Sequence, residues 1–328
     1  MHAELPVCAF IAAFLVLVPL PWHWHARNVA TLSMIVWLFV SNVVYAVNSI
    51  IWAGNVLDSA PIWCDVTTKL QMGANMGLPA CCLCICIHLE RISSVRQVRT
   101  SHSDRVWRMV FDAVICWGLP TLYMALHYIV QGHRFDIVED FGCRPTVYVS
   151  IPAIFLIWIP PMAAALATIG FAAMALKNFF HRRLTFATHL QNSSTGLTTS
   201  RYLRLMAMSV VQMVWTVLVT SLDMWFSCQH GLRPWISWQN VHSGFSQIAY
   251  FPTVLISREA LGWTYALWWA VPFSGLLFVA FFAFGEEAIK EYGKILRWTR
   301  WLLPRRASSK SEASFSKYVP SSAPVSSL

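Results

Sequence analysis

The sequence predicts an all-α membrane protein, a seven-transmembrane helix bundle with its N-terminus outside and its C-terminus inside. Three observations predict it. Hydrophobic residues fill 57% of the 328 positions and charged residues only 12%, where a soluble domain carries about a quarter charged residues. The apolar residues gather into seven stretches near the ~20 residues that a helix needs to cross a ~30 Å hydrocarbon core. Lys and Arg fall almost entirely in alternate loops between those stretches. A mean hydropathy of +0.53 with 17 Trp and 20 Phe excludes a soluble globular enzyme, a disordered chain and a disulfide-packed secreted module.

The first stretch, Leu5–Leu20, is the shortest, and Met1–Glu4 can extend it. It lacks the basic n-region of a signal peptide and reads as a retained span. Val29–Trp52 and Val147–Leu176, the second and fifth, contain no charged residue. Val66–Ile87, Met109–Val130 and Leu205–Phe226 hold one each: Lys69, Asp112 and Asp223. Trp263–Phe284 is the seventh. Trp22, Trp24, Trp52, Trp63, Trp107, Trp235, Trp238 and Trp263 sit near span ends, where an amphipathic ring favours the headgroup level. Pro79, Pro120, Pro152, Pro160, Pro161 and Pro272 fall inside spans. A packed bundle can re-satisfy the carbonyls that such prolines free.

Basic residues resist translocation, so their placement sets orientation. One set of alternate loops and the tail, from Arg27 through Arg91–Arg108, Lys177–Arg204 and Lys290–Lys317, holds 19 of the 24 Lys and Arg residues. The other set holds only Arg134, Arg144, Arg233 and Arg258. The first set is therefore cytoplasmic. The net charge of +9 reflects this asymmetry and points to a membrane surface, with no nucleic acid. Residues 1–284 form the seven-span domain. Residues 285–306 place Lys290, Lys294 and Arg297 on one stripe, the pattern of an amphipathic helix on anionic membrane lipids. Residues 307–328 are Ser-, Lys- and Pro-rich and read as a disordered tail.

Chemistry is sparse. The seventh span has no lysine for a retinal Schiff base, and no Walker loop or His-Glu-x-x-His zinc motif occurs. Neither a cofactor nor a metal is expected, and neither is catalysis. Cys81, Cys82, Cys84 and Cys86 spread around a helix and read as apolar packing. Cys64, Cys143 and Cys228 all fall on the oxidising side. Cys64 with Cys143 would tie a loop over the mouth of the bundle, and Cys228 competes for either partner. Lys69 and Asp223 lie near the outer ends of their spans. They form an ion pair or read ligand charge if those helices face each other, and otherwise snorkel to the interface. Asp112 is placed to pair with Arg108 one turn earlier. The long outer loop after Cys228 carries Trp235, Trp238, His242 and Phe245 at near-helical spacing. These line a lipophilic entrance or rest on the membrane surface. On the inner side, arginines at span bases satisfy the positive-inside rule and also suit an intracellular partner.

Ordered stretches then sharpen the class. LPWHWHARN at 20–28, with Trp37 and Asn48 following, and IWCD at 62–65 come first. HLERISSV at 88–95, GCRP at 142–145, YLRLM at 202–206, VHSGFSQI at 241–248 and FAFGEEAIKEY at 282–292 continue the series. In that order and placement the chain resembles the fungal mating-pheromone receptors of the a-factor, or lipopeptide, type, as found in mushroom-forming and related fungi. The resemblance implies a plasma-membrane G-protein-coupled receptor activated by a farnesylated, carboxymethylated peptide, with a heterotrimeric G protein α subunit as partner. A homodimer is left open. Carried over by motif, IWCD and GCRP supply Cys64 and Cys143 for an outer disulfide. HLERISSV supplies Glu90 and Arg91, and YLRLM, with Arg201 just before it, supplies Arg204, for the coupling face. Two rivals from other classes are weighed against this. A transporter or channel is disfavoured by the odd span count, the absence of repeats and the scarcity of mid-membrane charge. A membrane enzyme would need His, Asp or Glu clusters at depth.

Overall fold

The computed structural model describes residues 2–94, 102–181, 199–229 and 231–282. Six of its helices are long and apolar enough to cross a membrane, and a shorter apolar helix precedes them. In chain order the seven are α1 Glu4–Leu17, α2 Val29–Ile51, α3 Pro61–Ser93, α4 Ser103–Val130, α5 Ile151–His181, α6 Thr199–Cys228 and α7 Arg258–Phe282. The chain divides into two units, Met1–Gly285 and Glu286–Leu328. Those seven helices belong to the first. The amphipathic helix expected at 285–306 and the tail expected at 307–328 lie outside the described residues.

Helix starts follow local chemistry. Asn28 caps α2 by accepting the Thr31 N–H on Oδ1 at 3.2 Å. Pro61 opens α3, where a missing N–H costs nothing. The helices α3, α4 and α6 run beyond the apolar stretches that announced them, because hydrogen bonding continues into the polar flanks. The fifth begins at Ile151, four residues later than Val147, since 147–149 runs without regular structure into Ser150.

α3 is the central helix. It packs against α2, α4, α5 and α6, while α1 and α7 close the ring. Gly73 and Gly77, one turn apart on α3, make this possible. A Cβ on Gly77 would lie 2.7 Å from the Trp37 indole nitrogen, and one on Gly73 would lie 2.9 Å from the ring. Small residues at this spacing let the bulky α2 tryptophan lie against the α3 backbone.

Two prolines leave π-bulges, and a neighbouring helix repairs each. Pro120 has no N–H for the Cys116 carbonyl four residues back, and α4 widens over Val114–Gly118. Trp37 Nε1 of α2 donates to that carbonyl at 3.2 Å. Pro161 likewise frees the Ile157 carbonyl beside the bulge Ile154–Trp158. Tyr123 Oη of α4 donates to it at 2.7 Å.

The connections add what an all-α reading omits, a three-stranded sheet. β1 Phe135–Val138 pairs antiparallel with β2 Gly142–Arg144 and parallel with β3 Ile248–Phe251, in the order β2-β1-β3. Asp140 at φ 67° and Gly142 at φ 84° turn β1 into β2. Gly142 is doubly constrained, because a Cβ there would lie 2.5 Å from that of Asn48. The β-rich run FDIV and its Asp and Gly turn signals were present in the sequence. The parallel partner lies more than a hundred residues away, which no local pattern announces.

Candidate ligand-binding cavity

At the sheet end of the bundle, Cys64 at the head of α3 is bonded to Cys143 in β2, with a Cα–Cα distance of 5.3 Å. Cys228 is free. The Cys143 carbonyl accepts two side-chain amides, from Gln71 Nε2 at 2.9 Å and Asn48 Nδ2 at 3.3 Å. Trp63 Nε1 in turn donates to Asn48 Oδ1 at 2.8 Å. β2 is thus tied to α2 and α3 by one covalent bond and two hydrogen bonds. Beside it, Arg134 makes a two-pronged pair with Asp65: Nε to Oδ1 at 2.8 Å and Nη2 to Oδ2 at 2.5 Å. That carboxylate raises the guanidinium above its ordinary value. Both groups are over a third exposed, so the pair contributes little stability.

Beneath β2 a cavity of about 480 Å³ runs between α2, α3, α4, α5, α6 and α7, within the ~300–1,000 Å³ usual for ligand sites. Leu38, Met72, Leu78, Pro79 and Val271 give it apolar walls, and Tyr45, Asn48, Gln71 and Asn75 supply polar points. From Gln71 to Pro79 the α3 wall spans about 12 Å of helix rise. Aromatic donors bind its wall helices to one another. Tyr123 of α4 reaches α5, Trp158 Nε1 of α5 donates to Asp223 Oδ2 of α6 at 2.8 Å, and Trp215 Nε1 of α6 donates to Ser274 Oγ of α7 at 3.1 Å. All five of these side chains line the cavity.

Of the ligand-binding residues expected from the sequence, Asp223 alone lines this space. Lys69 does not face it. Its ammonium donates to Gln131 Oε1 at 2.6 Å and lies 3.1 Å from His127 Nδ1, so the α3 lysine grips α4 instead. His127 is held from its other side by the Thr146 carbonyl at 2.8 Å from Nε2. Trp235, Trp238, His242 and Phe245 do not line the cavity either. Trp238 and His242 stack at 4.1 Å, and Tyr128 at the end of α4 contacts Trp238, His242 and Phe245. His242 Nε2 lies 2.9 Å from the Tyr128 carbonyl, and Trp235 Nε1 donates weakly to Ile129 O at 3.5 Å. This cluster clamps the α6–α7 loop onto α4 and carries β3 across to β1. Sequence reasoning missed Arg144, Asp136, Tyr45 and Asn75 of the lining. Polar residues within the apolar α2 and α3 were the only signal for Tyr45 and Asn75, while Asp136 and Arg144 lie on β1 and β2.

At the opposite end, Glu90 and Arg91 lie in the last turns of α3, and Arg201 and Arg204 in the first turns of α6. Buried Tyr202 joins these helix ends, its hydroxyl lying 3.4 Å from the Leu89 carbonyl and 3.3 Å from that of Ala175. Arg91 sits over the Phe111 ring at 5.9 Å, and Arg204 bonds Ser200 of its own helix at 3.4 Å. Asp112 pairs with His88 Nε2 of α3 at 2.5 Å, not with Arg108, because the α4 turn that carries it faces α3. His23, in the short helix Leu20–His25, is fully buried against Phe282 at 4.8 Å. Burial, then the charge of Arg201, pushes it down to about 3.

Seven apolar helices, six of them long enough to cross a membrane, a walled cavity beneath a disulfide-tied sheet at one end, and basic helix ends at the other give the architecture of a seven-transmembrane receptor. Within that class the chain belongs to the pheromone A receptor (STE3) family, whose model matches residues 4–302. It is 53% identical over 297 residues to the pheromone B beta 1 receptor of Schizophyllum commune, covering 90% of this chain and 55% of that protein. It is 30% identical to pheromone receptor 1 of Mycosarcoma maydis, covering 96% and 88%. It is 25% identical to the pheromone a factor receptor of Saccharomyces cerevisiae, covering 88% and 60%. The chain spans about half the length of several of the curated relatives it matches.

Proposed function

We propose that this chain is the plasma-membrane receptor for a farnesylated peptide pheromone and transmits its binding to a heterotrimeric G protein α subunit. The observation that carries the reading is the cavity beneath the Cys64–Cys143 clamp, walled by helices that continue to the Glu90, Arg91, Arg201 and Arg204 end. In this reading the sheet end faces outward, in keeping with the sparse basic residues of its loops. Apolar walls with a few polar points suit a ligand that is mostly hydrocarbon and partly peptide.

Signalling is a population shift: the ligand favours the helix arrangement in which it is bound more tightly. Reversing a 1:99 equilibrium takes about 5.5 kcal/mol of differential binding. A prenyl chain supplies much of this at about 0.8 kcal/mol per buried CH₂ if the active arrangement buries it better. The π-bulged prolines of α4 and α5 are natural points for the two packings to differ, since their carbonyls depend on a neighbouring helix. The test expresses the chain in yeast lacking its own receptor and challenges it with prenylated and unprenylated forms of candidate peptides. A reporter response restricted to prenylated peptide supports the reading. Silence to every candidate at verified surface expression overturns it.

A further inference from the structure

Arg144 is the one basic side chain that lines the cavity among the described residues. Its main chain is fixed from three sides. The preceding residue is in the disulfide, that residue's carbonyl is held by Asn48 and Gln71, and Arg144 itself is paired in register with Asp136 of β1. Its guanidinium, by contrast, forms no hydrogen bond, ion pair or ring contact among the described residues. Cross-strand register puts Asp136 within reach on the same face, yet the Asp136 carboxylate is engaged by His133 Nε2 at 2.6 Å. Asp223, the other acid of the lining, is engaged by Trp158. Arg144 is thus rigidly mounted at its base, with no hydrogen-bond partner at its head among the described residues, on the lining of a chamber whose walls are apolar with a few polar points.

We infer that Arg144 is the polar anchor of the ligand, donating to the oxygen of an uncharged carbonyl group while the hydrocarbon occupies the chamber beneath. An uncharged acceptor is favoured because the lining carries two carboxylates, Asp136 and Asp223, against one guanidinium, so a free anion meets net repulsion. Two N–H groups of the planar guanidinium can serve the two lone pairs of one carbonyl oxygen in a fixed geometry, which the flexible ammonium of Lys does not pre-organise. This rests on the prenylated-peptide reading above and specifies which end of such a ligand the cavity holds.

The test uses the full chain in lipid nanodiscs, with N-acetyl-S-farnesylcysteine methyl ester and the N-acetyl-S-farnesylcysteine free acid as probes, read by ligand-induced thermal stabilisation across a concentration series. The ester is expected to stabilise the wild-type protein and to bind more tightly than the acid. Arg144→Gln is expected to weaken ester binding about ten- to a hundredfold, the range for a hydrogen bond to a charged group. Arg144→Lys falls between them. Because the guanidinium makes no internal bond, both variants keep the unliganded melting temperature of the wild type. Arg233→Gln, which removes a cation lying over Tyr148 and outside the cavity lining, leaves ester binding unchanged. Equal ester binding by wild type and Arg144→Gln overturns the anchor and leaves the lipopeptide reading standing. Tighter binding of the acid overturns the uncharged acceptor. No stabilisation of wild type by either probe counts against a prenyl-cysteine ligand, and the anchor falls with it.

Discussion

The repair of the α5 bulge makes a quantitative prediction. Tyr123→Phe removes one hydroxyl and nothing else, at a site where Tyr123 is 4% exposed and donates to Ile157 O at 2.7 Å. That carbonyl has no helical N–H because Pro161 stands four residues on. The substitution therefore strands a buried acceptor, at a cost of about 1–3 kcal/mol. At about 2–4 °C per kcal/mol for a large domain, the melting temperature falls by roughly 2–12 °C. Pro161→Ala restores an N–H to α5, so the hydroxyl becomes redundant. In that background Tyr123→Phe should cost at least about 1 kcal/mol less, a coupling well above the ~0.5 kcal/mol noise of additive sites. The assay is a double-mutant cycle read by thermal unfolding of purified protein in one detergent. An equal cost of Tyr123→Phe in both backgrounds refutes the argument that the tyrosine serves the proline-freed carbonyl.

Two further outcomes follow from other contacts. Cys64→Ser or Cys143→Ser opens a bridge between residues 79 apart and should destabilise the fold by about 2–4 kcal/mol, seen as lower surface expression and a lower melting temperature. The two single variants and the double variant should match, since each breaks the same bond. His23 carries a pH dependence whose sign is fixed by its burial. Held near 3 in the fold against an ordinary 6.5, it binds a proton more readily in the unfolded chain between those values. Stability is therefore full above about pH 6.5 and declines as pH falls toward 3, with a limiting slope of about 1.4 kcal/mol per pH unit. His23→Asn should flatten the decline measured between pH 7 and pH 5.

How much could be read early differs by kind of feature. The spans were legible because crossing a bilayer constrains average composition over ~20 residues, a property that survives ignorance of partners. Topology put Cys64, Cys143 and Cys228 on one side and offered the Cys64–Cys143 bridge with Cys228 as competitor, motif resemblance favoured the same pair, and the structure has it. Lys69 shows what a sequence leaves open, with an ion pair to Asp223, a ligand contact and snorkelling all compatible with its position. It lies on α3, the helix its apolar stretch announced. Its partner depends on the rotation of α3, and that rotation turns the ammonium to His127 and Gln131 and leaves Asp223 to Trp158.

The sequence by itself determined the number of spans, the alternation of basic loops and the family, because each rests on local composition or ordered motifs. Only the tertiary structure decided which side chains face the cavity, that Trp235, Trp238, His242 and Phe245 clamp a loop, and that Arg144 stands free above the chamber. The physical reason is geometric. A helix turns about 100° per residue and a π-bulge resets that phase, so facing directions are fixed only when helices pack. The sheet over the cavity likewise joins strands brought together by the closed ring of helices.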